Sequence, residues 1–578
     1  MTVHLAAAGL RAAAEAWLAE DPDPDTRAEL TAVLAEGDDA GLRARFGARL
    51  QFGTAGLRGP LGAGPNRMNR ALVRRAAAGL GAWLSAGVSD RLGGVAVGFD
   101  ARHRSAAFAE DTAAVLAAAG IDVHLLPEPL PTPVLAFAVR HLGAAAGVMV
   151  TASHNPAADN GYKVYDHTGG QIVPPADAEI SAAIDAVGPL AGVALADRHD
   201  PRIHRLGRDL VEAYLAAVTA MLPGRPAGGV DLEIAYTALH GVGGAVVTTL
   251  LQRAGFPAVH AVAQQQSPDP DFPTVAFPNP EEPGALDLAL AEARRVRADV
   301  VLANDPDADR LAVAVPDPGA EGGWRALRGD EVGALLADAV LDDLAVVPPA
   351  APDRPPVLAT SIVSSRLLSA MAADAGVAYA DTLTGFKWIA RVPGPDRRLL
   401  FGYEEALGYC VGDLVADKDG ISALLAVAQR MVALRARGTS VAERLDHLAR
   451  RHGVHATRQR SFRLEGEAGL ARITETMARM RAAPPDPLGR WAVTAVDDLL
   501  DPANRLGLPP SDVVLLGMDG ARVVVRPSGT EPKLKCYLEA IRPVAAGDGN
   551  GVLAAARAAS GADLDRLEAA LTGWLGLR

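Results

Sequence analysis

Residues 147–156, Gly-Val-Met-Val-Thr-Ala-Ser-His-Asn-Pro, constrain the fold of this chain more than any other stretch. The first four are apolar and rich in β-branched types, which predicts a buried strand. The strand cannot continue, because the next residues are polar and Pro156 has no amide hydrogen and biases Asn155 towards an extended geometry. Ser153 therefore lies in a tight loop at the carboxyl end of a strand, where open α/β sheets carry their chemistry. An ordinary turn serine is the alternative.

The segments around this loop alternate between strand and helix patterns. A strand is predicted over 94–100, a helix over 106–119 and a second strand over 121–126. This alternation is typical of a parallel sheet with helices on its faces. A short strand over 162–165 follows the loop, so Lys163 is tied closely to Ser153, although a surface lysine is the alternative.

A second loop is dominated by carboxylates. Asp305, Asp307 and Asp309 are spaced by two between apolar strands predicted over 300–303 and 311–315. Three carboxylates so close repel one another, so a counter-cation is favoured over a solvated acidic turn. An all-oxygen set selects a hard ion, Mg²⁺ or Ca²⁺, and three protein ligands leave positions open for a phosphate oxygen, which suits Mg²⁺.

Three common ligand motifs are excluded. An EF-hand would need glycine where Arg310 stands and glutamate where Pro316 stands. The glycines near residue 241 fail the dinucleotide fingerprint, since Val246 occupies the third glycine position. Cys410 and Cys536 are the two cysteines, and they make neither a zinc spacing nor a disulfide framework.

Two further stretches suit the ends of a polar ligand. Arg58 lies in the glycine-rich turn 51–59, and its guanidinium is predicted to form paired hydrogen bonds with an anionic group. A solvated arginine is the alternative. Glu404 and Glu405 lie in the glycine-flanked stretch 402–409. Paired carboxylates suit the vicinal hydroxyls of a sugar, while plain surface charge is the alternative.

Residues 526–535 predict a phosphate-binding turn. Ser528, Gly529 and Thr530 can direct backbone amides and two hydroxyls into one concavity, and Arg526 and Lys535 supply positive charge. Together these groups match a phosphate monoester dianion. A plain β-turn is the alternative.

Composition limits the class of protein. The chain has 578 residues, which is enough for about four domains, and carries 69 acidic against 56 basic residues, for a net charge of -13. This excess of acid disfavours a nucleic-acid or anionic-membrane partner but allows a small anionic substrate in a local basic pocket. The N-terminus becomes charged and acidic by residue 20 and is a poor signal peptide, and no apolar stretch is long enough to span a bilayer. With so few cysteines, a reducing, cytoplasmic location is expected.

The loops resemble, in their order, those of the α-D-phosphohexomutase superfamily. The correspondences are Thr151–Pro156 with its phosphoserine loop, Asp305–Arg310 with its magnesium loop, Gly402–Ala406 with its sugar loop and Arg526–Thr530 with its phosphate loop. The form of the sugar loop and the opening 51–58 are most similar to the branch of phosphoglucomutases and phosphopentomutases. Ala406 departs from the serine that this loop often has, which removes one hydroxyl contact.

The resemblance implies four α/β domains around a central cleft, three similar mixed α/β domains and a C-terminal α+β domain. The expected limits are 1–205, 206–325, 326–452 and 453–578, with one of the four loops in each.

The resemblance also implies site residues and a mechanism. Ser153 would carry a phosphoryl group beside one Mg²⁺ per chain, bound by Asp305, Asp307, Asp309 and Ser153. Lys163, His154 and Arg58 would supply acid–base or charge-stabilising groups. Arg310, Lys387, Glu404, Glu405 and the phosphate loop with Lys535 would bind substrate. The expected reaction is reversible phosphoryl transfer between C1 and C6 of glucose phosphate, with a sugar bisphosphate as intermediate and activator, in a monomer or weak dimer.

Several alternatives stay open from the sequence. Within the family they are a phosphomannomutase, a phosphoglucosamine mutase or a phosphopentomutase acting on ribose phosphate. A serine-dependent phosphatase is a rival, but the sequence lacks a cluster of His and Asp ligands for two zinc ions. A catalytically silent sugar-phosphate sensor is another, but neither the serine nor any of the aspartates is missing.

Overall fold

The computed structural model describes residues 7–87, 93–222, 232–346, 354–464, 466–528, 532–545 and 547–577. The chain divides into two compact units. The first unit consists of Met1–Leu327 and Gly408–Gln429, and the second of Arg328–Leu407 and Arg430–Arg578.

The helices in the described residues are α1 (Ala7–Glu20), α2 (Pro24–Glu36), α3 (Asp39–Phe46), α4 (Arg70–Gly87), α5 (Ser105–Ala118), α6 (Thr132–His141), α7 (Ala176–Asp185), α8 (Asp209–Met221), α9 (Gly243–Arg253), α10 (Asp287–Val296), α11 (Gly329–Val346), α12 (Leu367–Ala375), α13 (Phe386–Ile389), α14 (Gly420–Ala436), α15 (Val441–His452), α16 (Gly466–Ala482) and α17 (Asn550–Leu575). None of them is long and apolar enough to cross a membrane.

The strands in the described residues are β1 (Leu57–Pro60), β2 (Val95–Phe99), β3 (Val123–Leu125), β4 (Ala146–Val150), β5 (Asp159–Asp166), β6 (Ile203–Arg205), β7 (Ile234–Thr237), β8 (Val259–Ala261), β9 (Val300–Ala303), β10 (Ala312–Pro316), β11 (Trp324–Ala326), β12 (Pro356–Ser361), β13 (Ala378–Thr382), β14 (Arg398–Glu404), β15 (Gly408–Val411), β16 (Val454–Arg463), β17 (Val493–Asp498), β18 (Val514–Met518), β19 (Ala521–Pro527) and β20 (Lys533–Arg542).

The first sheet of the first unit has the strand order β1-β5-β4-β2-β3-β6. The predicted strand–helix–strand segment is confirmed as β2, α5 and β3, and β2 pairs in parallel with both β3 and β4. The strand predicted over 162–165 begins earlier, at Asp159, and runs antiparallel to β4, so the sheet is mixed. Met149 of β4 pairs with Lys163 of β5, which places this lysine beside the strand that leads to Ser153.

The second sheet of the first unit, β11-β10-β9-β7-β8, carries the carboxylate loop. Strand β9 is parallel to β7, and β10 folds back antiparallel to β9 with Ala303 opposite Ala312. All four residues of β9 are buried, as a run of Val, Val, Leu and Ala requires. The loop between β9 and β10 therefore begins and ends at fixed points of a buried sheet.

Three N-terminal helices precede the first sheet and have an apolar core of their own, which includes Leu10, Leu30 and Phe46. Within the described residues this segment is helical in α1, α2 and α3, with a break before Pro24. The break is an N-cap, since the Asp23 carboxylate accepts a hydrogen bond from the backbone N–H of Asp25 at 3.0 Å.

In the second unit, β12 pairs in parallel with β13 and with β14. Strand β14 continues to Glu404, because Gly402 and Tyr403 still pair with β12. The C-terminal part is an antiparallel sheet in the order β16-β20-β19-β18-β17, packed on α16 and α17. This arrangement confirms the expected α+β character of the last domain.

Candidate active site

The Ser153 loop follows β4 directly. Ser153 has a φ of +52°, in the left-handed region that non-glycine residues rarely adopt. Its backbone N–H donates to Thr151 Oγ1 at 2.9 Å, which helps to hold this conformation. The hydroxyl donates to Asp305 Oδ2 at 2.9 Å and lies 3.1 Å from His154 Nδ1. The structure thus brings together a serine and an aspartate that are far apart in sequence.

The three aspartates form one buried cluster. Asp305, Asp307 and Asp309 each offer a carboxylate oxygen, and these oxygens lie within 4.8 Å of one another. In the described part of the chain, Asp307 Oδ1 and Asp309 Oδ1 are buried and accept no hydrogen bond. Buried carboxylate oxygens without donors are costly unless a cation neutralises them. The donor set therefore fits a hard divalent ion.

The charges of the cluster are unevenly balanced. Burial and the negative charges of Asp307 and Asp309 raise the pKa of Asp305 well above its usual value. Burial alone would also raise the pKa of Asp307, but the adjacent Lys163 ammonium holds it below its usual value. Lys163 Nζ donates to Asp307 Oδ2 at 2.8 Å and lies 3.4 Å from Asp309 Oδ2. Lys163 is buried, so the surface-lysine interpretation is wrong.

The other predicted groups of this loop region lie close to the serine. Arg58 Nη1 donates to Asn155 Oδ1 at 3.2 Å. Arg310 Nε lies 3.9 Å from Asp305 Oδ2 and from Asp309 Oδ1. Burial, with the positive charges of Arg310 and Arg58, lowers the pKa of His154 well below its usual value, so its imidazole is neutral near pH 7.

Two residues of this site were missed by the sequence analysis. Thr132, the first residue of α6, donates its hydroxyl to Asp307 Oδ2 at 2.8 Å. Lys418 Nζ lies 3.2 Å from Asp309 Oδ2 and 3.3 Å from Asp417 Oδ1. The only sequence signal for Lys418 was its position between two aspartates just before a helix.

The second unit holds the sugar-loop glutamates at the end of β14. Glu404 Oε1 accepts the backbone N–H of Gly385 at 2.6 Å. Glu405 Oε2 accepts the hydroxyls of Ser364 at 3.1 Å and Ser361 at 3.3 Å. Desolvation, with the negative charges of Glu404 and Asp330, raises the pKa of Glu405 to about 7. Serine donors and a raised pKa are not what free surface charge would show.

The predicted phosphate groups lie in the same unit. Arg526 donates to Thr384 Oγ1, next to the glycine that binds Glu404. Lys535 is the cross-strand partner of Arg526, so the two cations lie side by side. Lys387 lies in α13, which begins directly after Gly385.

The turn itself is only partly described. The Ser528 N–H donates to the carbonyl of Lys533 at 2.8 Å, whereas Gly529 and Thr530 lie outside the described residues. The structure thus assembles one group of predicted residues in each unit. That all four loops meet in one pocket stays a prediction.

Four family models match the chain. They describe phosphoglucomutase/phosphomannomutase α/β/α domain I at residues 49–189, domain II at 212–320, domain III at 328–452 and the C-terminal domain at 494–548. Each matched range lies inside one of the predicted domains, whose exact limits stay predictions.

Curated relatives and solved structures agree with these matches. A "Probable phosphomannomutase" of Haemophilus influenzae is 43% identical over 480 residues, 82% of this chain and 93% of that protein. A "Probable phosphoribomutase" of Schizosaccharomyces pombe is 37% identical over 549 residues, 90% of this chain and 92% of that protein. The crystal structure of parafusin, a phosphoglucomutase of Paramecium, shares the fold with a TM-score of 0.67 at 17% identity, covering 92% of this chain and 97% of that one. The chain therefore belongs to the phosphoglucomutase/phosphomannomutase family of isomerases.

Proposed function

We propose that the protein transfers a phosphoryl group reversibly between C1 and C6 of glucose phosphate, through phosphorylated Ser153 and a glucose bisphosphate intermediate. One observation carries the proposal. The Ser153 hydroxyl lies 2.9 Å from Asp305 Oδ2, at the edge of a buried set of three carboxylates. A phosphoserine beside such a set would gather negative charge that only a cation can offset.

We infer that the ion is Mg²⁺, one per chain, held by Asp305, Asp307, Asp309 and a phosphoryl oxygen on Ser153. Support comes from the hard oxygen donors and from the two buried oxygens without hydrogen-bond donors. When bound, the ion would neutralise charge on the group being transferred.

The chain's own residues would handle atoms and protons as follows. The free hydroxyl oxygen of the substrate bonds to the phosphorus of phospho-Ser153, while the bond from phosphorus to Ser153 Oγ breaks. His154, with Nδ1 at 3.1 Å from Oγ, would pass the hydroxyl proton to the serine oxygen. Lys163 and Arg58 would stabilise charge on the moving group. The reverse transfer from the other end of the bisphosphate completes the reaction.

Substrate binding would rest on the second group of residues and on Arg310. Glu404 and Glu405 would accept hydrogen bonds from sugar hydroxyls, with Lys387 and Arg310 orienting the ligand. The distal phosphate would bind to Arg526, Ser528, Gly529, Thr530 and Lys535. Because the bisphosphate must present both ends to Ser153, these groups would hold two opposite poses.

A direct assay tests this function. Purified protein is incubated with Mg²⁺ and a trace of glucose 1,6-bisphosphate, and the 1-phosphates of glucose, mannose, glucosamine and ribose are compared. We expect the highest kcat/KM with glucose 1-phosphate. Release of free phosphate without a transfer product would instead identify a phosphatase.

A phosphopentomutase or a phosphomannomutase is the second candidate. The similarity to proteins named phosphoribomutase and phosphomannomutase favours these substrates, and Ala406 offers no hydroxyl to a hexose. A preference for ribose or mannose 1-phosphate in the same assay would select between them.

The proposal also covers partners and location. We infer a monomer or weak dimer in the cytoplasm, with a sugar phosphate as ligand and neither nucleic acid nor membrane as partner. The net charge of -13 and the buried free thiols of Cys410 and Cys536 support this view.

A further inference from the structure

One buried arginine holds the backbone of the Ser153 loop. Arg102 follows β2 and is 4% exposed. Its Nη2 donates to the carbonyl oxygens of Ser153 at 2.6 Å and Asn155 at 2.5 Å. Its Nη1 donates to the carbonyl oxygens of Pro156 at 2.7 Å and Asp159 at 3.2 Å. A single side chain therefore binds three carbonyls of the loop and that of Asp159, the first residue of β5.

The loop needs such a partner. It leaves the sheet at β4, adopts a left-handed φ at Ser153 and includes a proline, so a strand ladder cannot satisfy its carbonyls. A guanidinium has five donors in a rigid planar fork, whereas a lysine ammonium is a point charge with three. Only the fork matches several carbonyls held at fixed positions.

Arg102 is itself fixed from two other directions. Its backbone N–H donates to Asp100 Oδ1 at 2.9 Å, and its Nε lies 3.5 Å from Asp100 Oδ2. Its guanidinium carbon lies 4.9 Å from the centre of the Phe272 ring, a cation–π contact. Phe272 belongs to the part of the chain matched by the second family domain, which also supplies the three aspartates.

We propose that Arg102 is a positioning residue for phosphoryl transfer: it fixes the position of the Ser153 side-chain oxygen by binding the loop backbone. Phe272 in turn holds the Arg102 guanidinium in a fixed position relative to the aspartate-bearing domain. This role rests on the proposed function of Ser153. The alternative is that Arg102 only stabilises the fold. A positioning role predicts a lower kcat per folded molecule when Arg102 is replaced, whereas a purely structural role predicts an unchanged one.

The test compares Arg102→Lys and Arg102→Ala with Arg74→Ala. Arg74 is a partly buried arginine of the same unit, and its guanidinium binds Asp111 and not the Ser153 loop. When kcat is calculated per folded molecule, it should fall about 100-fold in both Arg102 variants, with KM little changed. The reason is that displacing a reacting group by about 1 Å can lower the rate about 100-fold. Arg74→Ala should lose stability while kcat stays near that of the wild type.

Two further measurements separate positioning from stability. Guanidinium chloride, well below denaturing concentrations and against sodium chloride at equal ionic strength, should raise the kcat of Arg102→Ala but not of Arg74→Ala. Phe272→Leu should lower kcat severalfold in the wild type and not at all in Arg102→Lys. The comparison of Phe272→Leu in the wild type and in Arg102→Lys keeps the test valid even if Arg102→Ala does not fold.

The outcomes are distinct. Near-wild-type kcat in Arg102→Lys, no rescue by guanidinium, or a loss shared by Arg74→Ala overturns the role of Arg102. If the wild type itself shows no transfer from glucose 1-phosphate, the proposed function fails instead.

Discussion

At the scale of the residue, Lys163 makes a prediction about the metal. Its ammonium lies 2.8 Å from Asp307 in a buried setting. Lys163→Met removes the ammonium paired with buried Asp307, so the free energy of unfolding should fall by about 3–5 kcal/mol without metal. Excess Mg²⁺ should restore more stability to the variant than to the wild type. Thermal unfolding with Mg²⁺ and with a chelator measures both, and equal Mg²⁺ effects on the two proteins would argue against the site.

Glu405 makes a prediction about pH. Because its pKa is raised to about 7, protonated Glu405 stabilises the native state below its unfolded pKa. This stabilisation is lost as pH rises through about 7. The carboxylate that then forms accepts sugar hydroxyls, so KM for the sugar phosphate should fall over the same range. KM is measured from about pH 6 to about pH 8.

The control for this pH profile is Glu405→Gln. It keeps the shape of the side chain but cannot ionise, so it retains only the pH dependence that comes from the substrate phosphate, whose second pKa is near 6. Identical KM profiles for wild type and variant would remove Glu405 from sugar binding.

At the scale of the element, the segment after β12 supports the sugar loop. The Ser364 hydroxyl donates to Glu405 Oε2 and accepts the Glu405 N–H, both at 3.1 Å. Ser364→Ala should therefore raise KM about fivefold to tenfold, as expected for the loss of a hydrogen bond that contributes about 1 kcal/mol. Steady-state kinetics measures this change in KM.

The control is Ser440→Ala, which removes the N-cap of α15 in the same unit. It should lower the free energy of unfolding by about 1 kcal/mol and leave KM unchanged. A rise in KM for both variants would point to a general effect.

The sequence predicted the elements that local patterns report, and it could not predict contacts between distant ones. Strand β9 was predicted to the residue, because an apolar run between turns marks a buried strand. The four carbonyls on Arg102 and the approach of Lys418 to Asp309 left no such pattern. These contacts join residues 51 or more positions apart, and hydrophobic periodicity carries no information at that range. Motif resemblance found the catalytic candidates, but not the residues that hold them.

At the scale of the whole molecule, the two compact units predict unfolding in more than one step. The aspartate cluster lies in the first unit, so Mg²⁺ should stabilise that unit alone by mass action. Trp17, Trp83 and Trp324 lie in the first unit and Trp388, Trp491 and Trp574 in the second. In denaturation followed by the fluorescence of single-tryptophan variants, Mg²⁺ should shift only the unfolding transition reported by the tryptophans of the first unit. One coincident transition, moved as a whole, would contradict this.

The central claim is that Ser153 carries the phosphoryl group between the two positions of the sugar. Its most direct measurement is site mapping by mass spectrometry after incubation with glucose 1,6-bisphosphate and Mg²⁺, followed by a chase with glucose 1-phosphate. With isotopically labelled bisphosphate, we predict one labelled phosphoryl group on Ser153 that passes to the sugar during the chase and is replaced by an unlabelled one from glucose 1-phosphate, and no turnover in Ser153→Ala. A phosphoryl group on another residue, or near-wild-type turnover in Ser153→Ala, would contradict the account.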